Sequence, residues 1–251
     1  MIHQQTVRIV PGAKTAVLFM HGICATPENF RSMLPLEEMV PPDWSVYNMV
    51  LDGHCGTVED FGRSSMRKWR TQADCVLRDL AAQHQKLVIV GHSMGTLLAL
   101  ELAMKYPQKV SQLFLLAVPI RVCVKPVAMK NLVYMGLGRM NMSDPVQRSM
   151  VQACGMTLTK KLWKYVAWAP RMVELLHRGY AVGKILPALA VPAIIWQSGK
   201  DEMVSRRSAV LLKKHTSAQV HILPAATHFY YSPEAVQRVQ NSFASMLKQH
   251  G

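Results

Sequence analysis

Short apolar runs at 7–10, 16–20, 45–51, 87–90, 113–118, 193–197 and 219–223 are separated by longer stretches with a different rhythm. Runs of this length, apolar at most positions, suit strands that are buried on both faces. Between the third and fourth runs, Met66, Trp69, Ala73, Val76, Leu77 and Leu80 recur at helical spacing, and Val236, Val239, Phe243 and Leu247 do so near the end of the chain. Strand and helix in alternation predict an α/β fold, with a mostly parallel, doubly wound sheet covered by helices on both sides.

One interval breaks the alternation. From 121 to 189 no run has strand character, methionines are frequent, and Gly136, Gly138, Pro145, Gly155 and Pro170 punctuate the chain. A structureless loop of that length does not suit a compact domain. The pattern therefore predicts a small helical cap, a lid, inserted into a core made of 1–120 and 190–251. Its apolar residues Met129, Leu132, Met135, Met140, Leu162, Trp163 and Trp168 are candidates to line a substrate pocket, although the same spacing suits cap core. Unbranched methionines would adapt such a pocket to ligands of several shapes.

Half of the 251 residues are hydrophobic and 18% are charged, which excludes a disordered chain and allows one sizeable core. The first six residues lack the basic start and apolar block of a secretory signal. The longest strongly apolar stretch, 113–120, is too short to cross a bilayer, so a cytoplasmic protein is expected. The five cysteines show no C-x-x-C spacing, so neither a disulfide framework nor a zinc site is expected.

The net charge of +14 is uneven, since residues 121–190 hold 11 Lys and Arg against only Asp144 and Glu174. No nucleic-acid module accompanies it, and no nucleic-acid partner is expected. A basic cap beside an apolar mouth would gather anionic amphiphiles or associate weakly with an anionic lipid surface. A solvated face that keeps the chain dispersed is the competing and preferred reading.

The chemistry is carried by Gly91-His92-Ser93-Met94-Gly95, which follows the run 87–90 and precedes a helical run from Thr96 to Tyr106. G-x-S-x-G between strand and helix forces a tight turn that lifts a serine hydroxyl above the sheet edge. Such a serine needs a base, and the base needs a carboxylate. Of His177, His215, His221, His228 and His250, only His228 falls in a short loop between the run 219–223 and the last helix. Asp201 follows the run 193–197 after a glycine turn. Its neighbour Glu202 is the rival, and Asp201 is preferred because it lies closer to the strand end. The developing oxyanion would be met by the backbone N–H groups of Met94 and of Ile23, which follows His21-Gly22.

With these residues the chain resembles the α/β-hydrolase superfamily, and more narrowly its bacterial carboxylesterase and monoacylglycerol-lipase-like branch. The likeness extends to Asn29-Phe30, Asp52-Gly53-His54-Cys55-Gly56 and Gly199-Lys200-Asp201-Glu202-Met203-Val204, and leaves out the insert. Many relatives have a further glycine where this chain has Thr96, and many read Gly-His-Gly where Cys55 intervenes here. The resemblance implies a serine carboxylesterase that cleaves short-to-medium acyl esters through an acyl-enzyme, with no metal or organic cofactor. Monoacylglycerol lipase and thioesterase activities stay open, as does a monomer or dimer. A non-catalytic binding protein on this fold is disfavoured because no triad member is missing, and dehalogenase chemistry because Ser93 stands where a carboxylate would.

Overall fold

The computed structural model describes residues 3–249, so His250 lies outside the described residues. Seven strands form one sheet: β1 (Thr6–Arg8), β2 (Thr15–Met20), β3 (Ser45–Met49), β4 (Lys86–His92), β5 (Val110–Leu116), β6 (Ala193–Ser198) and β7 (Gln219–Leu223). Their spatial order is β1-β3-β2-β4-β5-β6-β7, and only β1 runs antiparallel. The central strands carry apolar residues at consecutive positions because both of their faces are covered. Leu18, Met20, Ile89, Leu113 and Leu115 pack on one side, and Val17, Phe19, Val88, Val90, Phe114 and Leu116 on the other. This period of two splits the interior into two cores.

Helices α1 (Val58–Gly62), α2 (Met66–Gln83) and α3 (Met94–Lys105) follow β3 and β4. In α2, Met66, Trp69, Ala73, Leu77 and Leu80 are buried, as their spacing predicts, while Val76 packs at the margin. Nearly all of α3 is buried, polar Thr96 included. Helix α8 (Pro233–Lys248) closes the opposite face with Val239, Phe243 and Leu247. Strand β5 begins earlier than its apolar run, taking in Ser111 and Gln112, and stops at Leu116, where Ala117 turns the chain with φ 53°.

Residues 121–189 are mostly helical: α4 (Pro126–Gly136), α5 (Pro145–Ala153), a 3-10 segment at Leu162–Trp168 and α6 (Ala169–Ile185). The prolines that read as punctuation open helices, where a missing N–H is no loss. Asp144 caps α5 by accepting from the N–H groups of Val146 and Gln147. The segment is fastened to the core at α1 and the start of α2. There the Trp168 indole N–H donates to the Val58 carbonyl at 2.9 Å, and the ring packs edge-on against Phe61. The Glu174 carboxylate accepts from the Met66 N–H at 2.9 Å.

A second attachment lies at the root of the insert. The stretch 121–125 pairs antiparallel with 202–205: the N–H groups of Cys123, Lys125 and Ser205 donate to the carbonyls of Met203, Glu202 and Arg121 at 2.8–2.9 Å. The Lys125 ammonium adds a bond to the Asp201 carbonyl at 2.6 Å. Helix α7 (Arg207–His215) follows this loop and leads to β7. No helix among the described residues is long and apolar enough to cross a membrane.

Candidate active site

Ser93 stands between β4 and α3 with φ 50° and ψ −122°, a conformation that L-residues seldom adopt. The two glycines beside it make that turn possible. A Cβ at Gly95 would lie 2.1 Å from the Met20 carbonyl oxygen, and one at Gly91 would lie 2.9 Å from the Thr96 Cα. Both obstacles are backbone that cannot swing away. Gly95→Ala should therefore lower stability by about 3 kcal/mol or more. Gly12→Ala, at φ 76° with open space around it, should lose about 1 kcal/mol from the backbone alone. Denaturant midpoints compare the two, and equal losses would remove the steric reading of the turn.

His228 lies on the loop after β7 and brings Nε2 to 3.0 Å from the Ser93 hydroxyl. Its Nδ1 meets both carboxylate oxygens of Asp201, at 3.0 and 3.1 Å. A carboxylate can only accept, so Nδ1 holds the ring proton and Nε2 is free to take one from serine. Asp201 is itself held by the N–H groups of Met203 and Val204, both at 2.8 Å. Burial works against charge on His228, but the adjacent Asp201 carboxylate outweighs it and raises the imidazole above its usual pKa. Burial likewise opposes charge on Asp201, and the paired imidazole with the two loop N–H groups brings the carboxyl below its usual range. Of the other histidines, His215 ends α7, His221 is within β7 and His177 is on α6.

The loop after β2 passes directly over the serine. A Cβ at Gly22 would sit 3.0 Å from the Ser93 Cβ and 3.1 Å from His92 Nδ1, so any side chain here would crowd the serine. The Gly22 N–H is fixed by the Asn29 side chain at 3.2 Å, and the Cys24 N–H by Nε2 of His54 at 3.2 Å. Ile23 lies between these two anchors, and neither its N–H nor that of Met94 is spent in a loop or cap hydrogen bond. Both residues are buried.

Three buried histidines frame the site without joining the relay. His21 accepts from the Leu51 N–H and donates to the Gly22 carbonyl, and burial pulls its pKa down to about 4. Burial also lowers His54 well below the usual value. His92 donates to the His228 carbonyl at 3.2 Å, and burial lowers its pKa to about 3. All three are neutral at physiological pH and serve as fixed hydrogen-bonding wedges. Asn29 and His54 were visible in the sequence as family-like positions, but the structure supplies what they hold.

The pocket candidates separate into three groups. Trp168 is buried, packs on α1 and has its N–H satisfied there. Met129, Leu162 and Trp163 are open to solvent, Trp163 at 68% exposure, and side chains so open do not enclose an acyl chain. Met135 is buried, and Leu132 and Met140 are half-buried. Among the described residues no cluster of His, Cys, Asp or Glu has the arrangement of a metal site.

The alpha/beta hydrolase family model matches residues 17–239. The chain belongs to the α/β-hydrolase family. Among solved structures it is similar to one of the metagenome-derived lipolytic enzymes LipS and LipT, with TM-score 0.72 and 19% identity over 99% of this chain and 98% of that one. It is similar to the monoacylglycerol lipase of Paleococcus ferrophilus, with TM-score 0.69 and 15% identity over the full length of both chains. The thioesterase domain of the curacin biosynthetic pathway aligns at TM-score 0.64 and 17% identity over 98% of this chain and 99% of that domain. No curated protein sequence matches the chain significantly. At these identities the solved structures bear on the fold of this α/β hydrolase, and its chemistry is argued from its own residues.

Proposed function

We propose that this α/β hydrolase is a serine carboxylesterase for short-to-medium acyl esters. The carrying observation is the unbroken chain from the Ser93 hydroxyl through both ring nitrogens of His228 to Asp201. In the first step Ser93 Oγ attacks the ester carbonyl and gives its proton to Nε2. The imidazolium that forms is stabilised by Asp201, and the oxyanion by the N–H groups of Ile23 and Met94. His228 then protonates the departing alcohol, leaving an acyl-serine. Water repeats the sequence and releases the acid. Every proton moves at Nε2, so the chain's own residues complete the cycle.

The same relay would serve a glycerol or a thiol leaving group, and solved neighbours carry those names. Chromogenic esters from acetyl to palmitoyl, run beside a monoacylglycerol and an acyl thioester, separate the readings. The expected result is fastest turnover on a short or medium ester. A thioester turned over far faster than any ester would make the chain a thioesterase.

The partner proposed alongside is an anionic lipid surface, engaged weakly by the insert. Of the seventeen large hydrophobic residues left exposed in the described chain, thirteen lie between 121 and 189. Tyr134, Trp163 and Tyr180 are among them, and each has a cation over its ring, from Lys130, Lys161, and Arg121 with Lys184. An exposed aromatic beside a cation suits the boundary between headgroups and acyl chains. Not all of the basic charge is available, because Lys164, Arg171 and Arg178 pair with Glu59, Glu174 and Glu101. The chain should sediment with phosphatidylglycerol vesicles at low salt, less so at high salt, and not with pure phosphatidylcholine. Equal recovery with both vesicles would return the insert to a solvated face.

A further inference from the structure

The residue that competed with Asp201 for the role of catalytic acid has a place of its own. We infer that Glu202 is a positioning residue for His228, holding its main chain and adding a second negative charge to its surroundings. This rests on the esterase reading of the relay. The Glu202 carboxylate accepts the His228 backbone N–H through Oε2 at 3.0 Å. Its other oxygen, Oε1, is buried and finds no partner among the described residues. A carboxylate buried with half of its hydrogen-bonding capacity empty is costly unless its one bond matters.

The arrangement grips one imidazole from two directions. Asp201 holds the ring at Nδ1, while Glu202 holds the backbone from which the ring hangs. The His228 carbonyl is taken by His92 on the far side, so both peptide groups flanking this side chain are tied to buried side chains. Two adjacent residues of one loop, itself pinned to 121–125, thus fix ring and main chain together. Burial followed by the neighbouring Asp201 charge raises the Glu202 carboxyl above its usual range, and the ionised form in turn favours a proton on His228.

The other groups facing the histidine do not supply this charge. His92 is held neutral by burial, the Tyr231 phenol is raised by burial, and the Lys125 ammonium lies on the Asp201 carbonyl. Removing the Glu202 charge therefore has a definite sign. The imidazolium becomes less favourable, so the ring loses its proton at lower pH, while the reaction that must create an imidazolium becomes slower.

The rate at which a fluorophosphonate labels Ser93, followed across pH, tests this without knowledge of the natural ester. Glu202→Gln keeps an acceptor for the His228 N–H and removes the charge. Its labelling curve should show the acid inflection moved to lower pH and a plateau reduced by about threefold. Glu202→Ala also removes the anchor and should lower the plateau by about tenfold or more. Wild-type inflection and plateau in both variants would overturn the inference. If the alanine variant does not fold, an unmoved inflection in the glutamine variant overturns it alone. Wild-type protein that is not labelled at Ser93 would instead remove the esterase reading, which keeps the two failures apart.

Discussion

Ser93→Ala is expected to fold as the wild type and to lose about 10⁴-fold or more of its ester turnover. The side chain is buried, and its one side-chain bond is to His228, so alanine removes the proposed nucleophile and leaves no void of consequence. The strained backbone is unchanged, because alanine is no more at ease than serine at φ 50°. On the proposed mechanism the variant keeps His228 as a base for water and keeps both oxyanion donors, which sets a floor above the uncatalysed rate. Turnover should drop to that floor and fluorophosphonate labelling should vanish, with the thermal unfolding profile retained. A variant that keeps turnover within tenfold of wild type would sink the assignment of the nucleophile.

Asp201→Asn should be nearly as damaging, with a loss of about 10³- to 10⁴-fold at neutral pH, for a different reason. Asparagine fits the same space, and its Oδ1 can still accept from the Met203 and Val204 N–H groups. That choice turns the amide NH₂ toward His228 Nδ1, which must then accept. The ring proton moves to Nε2, where it faces the serine and can no longer be replaced by the serine's own. Loss of the carboxylate also removes the main influence raising the His228 pKa, so the residual activity should hold to lower pH than that of the wild type. Turnover close to wild type at neutral pH would show that Asp201 does not set the tautomer.

The fold was legible because its signal is local and repeated. Seven apolar runs became seven strands, since a strand between two helical layers needs apolar residues on both faces. Strand ends were less legible: Gln112 pairs in β5 despite its polarity, and Ser111 falls where the register shifts, because the neighbouring strand and not hydropathy sets where a ladder begins. Ser93, His228 and Asp201, named by motif and order, are joined in one line of hydrogen bonds through the His228 ring. What supports them was not legible. The bond from His228 to Glu202 spans 26 residues, and that from His92 to the His228 carbonyl spans 136. Nothing in local composition encodes such distances. Exposure within the insert was equally hidden, because Leu162, Trp163 and Trp168 share one short apolar segment yet meet opposite surroundings.

The pairing between 121–125 and 202–205 bears on how this protein could be rebuilt. By secondary structure the insert starts where the sheet ends, and a designer exchanging it for another would cut near Arg121. By hydrogen bonding those five residues belong to the loop that carries Asp201 and Glu202. A graft made there would take away the main-chain neighbours of the acid along with the replaced helices. The interchangeable module begins after Lys125, and a chimera that respects this seam can change what is bound without disturbing the residues that react.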